Sequence, residues 1–249
     1  MAIDSHLHVN SIMNVDMDDE IKRINDDSKL KSVINVGVNI LTSTEANDIA
    51  MHHEKFYSAV GIHPLYIEYQ NASKLYNMIS DKTVAIGEIG LDDKFENYKL
   101  QREYLIKQIK IANELGLPII IHSNNSNKKI FEIFDNEVRP ECGCVFHSFQ
   151  PIFEDLEYII NHGYYISFCG RITYNHNERS TRIIKNVPYS KFLVETDAPF
   201  FSPEIYKGEV NHSSNVEYVI QRIAQVKNEK YELIEDISEE NTKRLFKRL

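Results

Sequence analysis

Short apolar runs rich in β-branched and aromatic residues recur along the chain, at Ala2 to Val9, Ser32 to Val38, Tyr57 to Ile62, Thr83 to Ile89, Pro118 to His122, Cys144 to His147, Tyr164 to Phe168 and Phe192 to Thr196. Between them lie stretches whose apolar residues fall three and four positions apart: Ser43 to Lys55, Leu100 to Leu115, Asn127 to Val138, Ile152 to His162 and Val216 to Val226. The first pattern predicts buried strands and the second helices with one apolar face. The strands are apolar on both faces, as parallel strands between two layers are, and successive starts stand about one βα unit apart. Eight such units predict a TIM (β/α)8 barrel. Gly116 and Gly163 read as left-handed caps that end helices, and Pro118 opens the following strand. Residues Tyr231 to Leu249 read as a C-terminal extension, a helical pair with Ser238, Glu239 and Glu240 at a helix start. No linker or low-complexity stretch interrupts the pattern, so residues 1–249 are expected to form a single domain.

Composition narrows the function. With 42% hydrophobic and 26% charged residues in 249, the chain can bury a full core, which excludes disorder, collagen and coiled coil. Lys and Arg number 28 against 37 Asp and Glu, a net charge of −9, so no broad basic surface is available for nucleic acid and a phosphate ligand needs local cations. Three cysteines, Cys142, Cys144 and Cys169, make no disulfide framework and suit a reducing compartment, the cytoplasm. Cys142-Gly-Cys144 lacks a second thiol pair and reads as structural. Neither a leader nor an 18-residue apolar run is seen, so no membrane association is expected.

Metal-ligating residue types stand at the ends of the predicted strands: His6 and His8, His63, Glu88, His122, His147 and Asp197. In a TIM barrel that rim carries the chemistry. His6 and His8 share strand parity, so one strand offers two nitrogens to one ion. The four imidazoles of His6, His8, His122 and His147 and the two carboxylates suit Zn²⁺, Mn²⁺ or, with more water, Mg²⁺, and suffice for two ions, with Glu88 placed to bridge them. Such ions make water acidic enough to attack near neutral pH without a serine or cysteine nucleophile. Each residue alone has a plainer role open to it: packing for a histidine, a salt bridge for Glu88, a helix cap for Asp197. His52, His53, His162 and His212 lie on helices or loops and are set aside. Asp4 and Glu195, two residues below His6 and Asp197, face inward and either accept the remaining N–H of a ligand histidine or form a buried ion pair.

In order along the chain, Asp4-Ser5-His6-Leu7-His8, Gly61-Ile62-His63-Pro64, Ile86-Gly87-Glu88-Ile89-Gly90-Leu91-Asp92, Leu117-Pro118-Ile119-Ile120-Ile121-His122, His147-Ser148-Phe149 and Glu195-Thr196-Asp197-Ala198-Pro199-Phe200 resemble the TatD family of metal-dependent deoxyribonucleases, within the amidohydrolase superfamily. The resemblance implies that His6, His8 and Asp197 hold one metal and His122 and His147 the other, with Glu88 between them. It also implies that His63 touches substrate or a bridging water. Two places depart from the family pattern. Asn124 stands where an arginine is usual, and Val210-Asn211-His212-Ser213 replaces Arg-Asn-Glu-Pro, so the substrate rim is rebuilt. This suits a divergent branch such as the TatD-like members of Qat-type anti-phage cassettes, whose other proteins would be partners.

The expected reaction is hydrolysis of a phosphodiester in single-stranded DNA or at a 3′ end, with Asp197 and Glu88 as catalytic residues and Asp197 taking a proton from the attacking water. Asn124, Arg171 and Lys207 are candidate substrate contacts, with Lys94 nearby, and Tyr66, Tyr174 and Phe201 could stack on bases. Two alternatives stay open: an amide or ester hydrolase of the same architecture, including aminoacyl esters, and a non-catalytic module that binds nucleic acid or a partner.

Overall fold

Each apolar run forms a strand: β1 (Ala2–Leu7), β2 (Leu30–Val36), β3 (Phe56–Val60), β4 (Thr83–Asp92), β5 (Ile119–Asn124), β6 (Cys144–Phe146), β7 (Tyr165–Phe168) and β8 (Phe192–Val194). The structure is a computed structural model and describes residues 1–10, 16–174 and 178–249. The strands stand in one sheet in chain order, β1 to β8, and the β3–β4, β4–β5, β5–β6 and β7–β8 ladders are parallel. That succession is the TIM barrel fold.

Helices α1 (Met17–Asp26), α2 (Ile40–His52), α3 (Tyr98–Leu115), α4 (Asn127–Asn136), α5 (Phe153–Asn161), α6 (Glu178–Asn186), α7 (Val216–Lys227) and α8 (Tyr231–Leu245) alternate with the strands. After β3 the connection is a 3-10 segment, Ala72–Met78, in place of an α-helix. Gly116, at φ +66°, ends α3 by sending its N–H to Ala112 O and Asn113 O, as the sequence predicts. The predicted helical pair at the C-terminus is instead one helix, α8. Ser238 lies in its interior, where its hydroxyl bonds back to Glu235 O and caps nothing. Among the described residues no helix is long and apolar enough to cross a membrane.

Contacts divide the chain into two units. The first, Met1–Ile34 with Ser148–Arg244, holds β1, β7 and β8. Here β8 lies beside β1: Asp197 N–H reaches His6 O at 2.9 Å and His8 N–H reaches Ala198 O at 2.8 Å. Its core includes Ile3, Leu7, Phe168, Phe192, Val219 and Ile223. The second unit, Asn35–His147 with Leu245–Leu249, holds β3 to β6, and its core includes Phe56, Ile86, Ile109, Ile121, Phe134 and Phe146. Each such side chain contributes about 1.5–3 kcal/mol by leaving water.

Candidate functional site

In the first unit, strand alternation turns Asp4, His6 and His8 to one side of β1. The Nε2 atoms of His6 and His8 are 3.2 Å apart, and Asp197 Oδ1 lies 3.8 Å from the first and 3.5 Å from the second. All three side chains are buried. Asp197 follows β8 at φ +55°, a left-handed conformation that aspartate tolerates better than most residues. Its neighbours are pinned by Asn211, whose Nδ2 donates to Thr196 O at 2.9 Å and Phe200 O at 2.7 Å.

Asp4 and Glu195 hold the backbone around the site. Asp4 accepts the main-chain N–H of His6 and of Thr196, together with the Thr196 hydroxyl. Burial pushes its carboxyl up to about 8, against the pull of those bonds. Glu195 accepts Ser148 N–H and the Ser167 hydroxyl, each at 2.6 Å. Asp4 thus ties β1 to the segment after β8, and Glu195 ties that segment to β7 and to the turn after His147.

In the second unit histidines from the ends of three other strands converge on Glu88 of β4. His122 Nδ1 and His147 Nε2 each lie 2.8 Å from Glu88 Oε1 and 3.4 Å from one another, and His63 Nε2 is 3.5 Å from the same oxygen. Parallel pairing sets Gly90 of β4 opposite His122 of β5. A Cβ at Gly90 would stand 1.8 Å from His122 O, so only glycine lets β5 approach this closely. Burial would raise the Glu88 carboxyl, but the charges of His147 and His63 and the hydrogen bonds of His122 and His147 hold it well below the usual carboxylate range. Burial pushes the His63 imidazole down to about 3, with His122 adding to the effect and Glu88 opposing it.

Asp92, quoted above within its motif and given no role there, joins the site. Its Oδ2 accepts His122 Nε2–H at 3.0 Å, while Oδ1 accepts Lys94 N–H at 2.8 Å and Asn124 Nδ2–H at 3.1 Å. The signal was available: Glu88, Gly90 and Asp92 alternate on one face of a strand that runs three residues beyond its expected end at Ile89. Asn124, expected to meet substrate, spends an amide hydrogen on Asp92.

Other expected residues lie in the first unit. The Arg171 guanidinium sits over the Phe201 ring at 3.4 Å from its centroid, and Lys207 Nζ lies 5.5 Å from that of Tyr174. The histidines set aside have local partners. His52 and His162 bond to carbonyls one turn earlier, and His212 Nδ1 meets Glu20 Oε2 at 2.8 Å. Burial pushes the thiols of Cys144 and Cys169 upward, the latter to about 12, so neither is a nucleophile at neutral pH.

The donors fit divalent ions. His6, His8 and Asp197 each offer an atom within 4.8 Å of the others, and His122, His147 and Glu88 converge more tightly still. Imidazole nitrogens 3.2 and 3.4 Å apart, the first pair buried and the second half-buried, each beside a carboxylate, form a nitrogen and oxygen set of the kind that Zn²⁺ or Mn²⁺ takes.

The TatD-related DNase family matches residues 3–247. The chain belongs to the TatD family. Among its relatives, the uncharacterized metal-dependent hydrolase YabD of Bacillus subtilis is 31% identical, with 99% of each chain covered. Another, MJ1582 of Methanocaldococcus jannaschii, is 29% identical over 99% of this chain and 97% of its own. The crystal structure of the TatD homologue YjjV from Escherichia coli superposes with a TM-score of 0.90 at 25% identity, covering 99% of this chain and 98% of its own. Organophosphorus hydrolase from Deinococcus radiodurans, at 13% identity and a TM-score of 0.69 over 98% and 92% of the two chains, shares the fold.

Proposed function

We propose that this TatD-family metal-dependent hydrolase cleaves phosphodiesters, acting on single-stranded DNA or DNA 3′ ends in the cytoplasm. The observation that carries this reading is the pair of converging donor sets in a chain whose family is that of TatD-related DNases. His6, His8 and Asp197 hold one divalent ion, and His122, His147 and Glu88 hold a second. When bound, the ions supply positive charge against the phosphoryl oxygens and acidify water. Asp197 takes the proton of the attacking water at its carboxylate. Arg171 and Lys207, on loops after β7 and β8, orient the strand, and with a net charge of −9 such local cations have to do the steering.

The test restores ion-depleted protein with Mg²⁺, Mn²⁺ or Zn²⁺ in turn and incubates it with end-labelled single- and double-stranded DNA and RNA. Ion-dependent shortening of single-stranded DNA or of 3′ ends is expected, abolished in folded His6→Ala and Glu88→Ala. Undiminished cutting by either variant would refute the assignment.

One observation favours a second reading, an amide or ester hydrolase that includes aminoacyl esters: Asn124 leaves β5 without the arginine usual in the family and bonds to Asp92. Turnover of such esters without nucleotide release from DNA would select it.

A further inference from the structure

On α1 the apolar Ile21 and Ile24 are buried, as the inner face of a barrel helix should be, and Glu20 beside them is buried too, at 6% exposure. A carboxylate out of water has to find donors. His212 Nδ1–H gives one to Oε2 at 2.8 Å, and Ser213 N–H reaches Oε1 at the longer distance of 3.5 Å. Both donors belong to the Val210-Asn211-His212-Ser213 segment that departs from the family pattern.

Asn211, next to them, holds the peptides on either side of Asp197. Its amide goes to Thr196 O and Phe200 O, and its main-chain N–H reaches Pro199 O at 3.1 Å. Its Oδ1 accepts His212 N–H at 3.0 Å. A run of contacts therefore leads from α1 through His212 and Asn211 to Asp197, and every link lies in the unit that holds His6 and His8. Asp197 needs such support. At φ +55° its backbone is in the left-handed region, which persists only where the surroundings enforce it.

We infer that Glu20 and His212 form a clasp that positions Asp197: Glu20 is a positioning residue for the ion held by His6, His8 and Asp197, and His212 is the donor that an acid at position 20 requires. That Asp197 holds an ion rests on the proposed function; the clasp itself does not. The glutamate of Arg-Asn-Glu-Pro, placed at 212, would set a second carboxylate against Glu20, and like charges out of water disfavour one another. The histidine at 212 and the buried acid at 20 thus belong together.

The test titrates Mn²⁺ calorimetrically into ion-depleted protein, with His6→Ala and His122→Ala assigning the two binding steps. His212→Glu is expected to weaken the step lost in His6→Ala by about 10-fold, the low end of the cost of removing a partner behind a ligand, and to spare the step lost in His122→Ala. Glu20→Gln keeps the side chain's shape and is expected to weaken the same step by about 3-fold, because a neutral acceptor is weaker than a charged one. Combining the two changes puts the donor on α1 and the acceptor on the loop, and is expected to recover most of the loss. A general loss of stability would give no such rescue. Exchange of the Asp197 and Asn211 amide hydrogens, which bond to His6 O and Pro199 O, is followed in ion-free protein. It is expected to quicken in His212→Glu and to slow again in the double variant.

Equal weakening of both steps, an unchanged His6→Ala step, or a double variant no better than His212→Glu would each overturn the inference. Should His212→Glu fail to fold, Glu20→Gln and the double variant decide it by the same readouts. The exchange measurement needs no metal, so an exchange pattern that holds in a chain taking up no ion at His6, His8 and Asp197 defeats the ion reading and leaves the clasp standing.

Discussion

Asp92 shows how one carboxylate decides what a histidine does. By accepting His122 Nε2–H it fixes the ring so that Nδ1 faces Glu88, and the Lys94 N–H and the Asn124 amide stop the carboxylate from turning away. Those contacts and the His122 bond outweigh burial, so Asp92 sits below its usual carboxylate range. Partners of this kind orient a ligand ring and raise its basicity, and their removal typically weakens metal binding about 10- to 100-fold. Asp92→Ala is expected to weaken the ion held by His122, His147 and Glu88 by that factor and to spare the one held by His6, His8 and Asp197. Stepwise calorimetric titration of ion-depleted protein checks this, and equal weakening of both steps would contradict it.

At the scale of elements, the loop after β8 and the anchorage of α8 carry distinct expectations. Asn211 brackets the left-handed Asp197 by bonding to Thr196 O and Phe200 O, and its own oxygen accepts Asn215 Nδ2–H at 2.9 Å and His212 N–H. Asn211→Ala leaves buried carbonyls without these donors, a cost of about 1–3 kcal/mol. It is expected to lower stability in urea by that amount and to weaken the ion at His6, His8 and Asp197. Unaltered ion binding would limit Asn211 to a structural role. On α8, Glu239 pairs with Lys31 of β2 and with Lys243, the latter at 2.5 Å. Burial would raise its carboxyl, but the two lysines hold it below its ordinary value of 4.5. A carboxylate lowered on folding stabilises the protein above its unfolded pKa, and that contribution is lost as pH falls through the folded value. Glu239→Gln is therefore expected to be less stable at pH 7 by under about 1 kcal/mol, since the pair is partly solvated, and the gap should close below pH 4.5. Urea midpoints across pH measure it.

For the molecule as a whole, each unit carries its own donor set, so the proposed reading links ion loading to stability in both. An ion at 100 times its Kd adds about 2.7 kcal/mol per site, because it binds the folded chain and not the unfolded one. Chelation is expected to lower Tm, and readdition of Mn²⁺ to restore it; a Tm indifferent to chelator would argue against resident ions. The barrel was legible in the chain because strand and helix periodicities are local and eight of them alternate without a break. His6 and His8 were legible as a pair for the same reason, two residues apart on one strand. The helical pair expected after Tyr231 was not formed, since Ser238 could find a backbone carbonyl inside a continuous helix as readily as start a new one. Sequence alone determined the residue types and the strand ends that carry them, which follow from patterns a few residues long. Tertiary structure decided the roles: Asp92 with His122, Asn124 with Asp92, Asn211 around Asp197. A hydrogen bond's partner depends on ångström-scale approach between segments tens or hundreds of residues apart, and no local pattern encodes that distance.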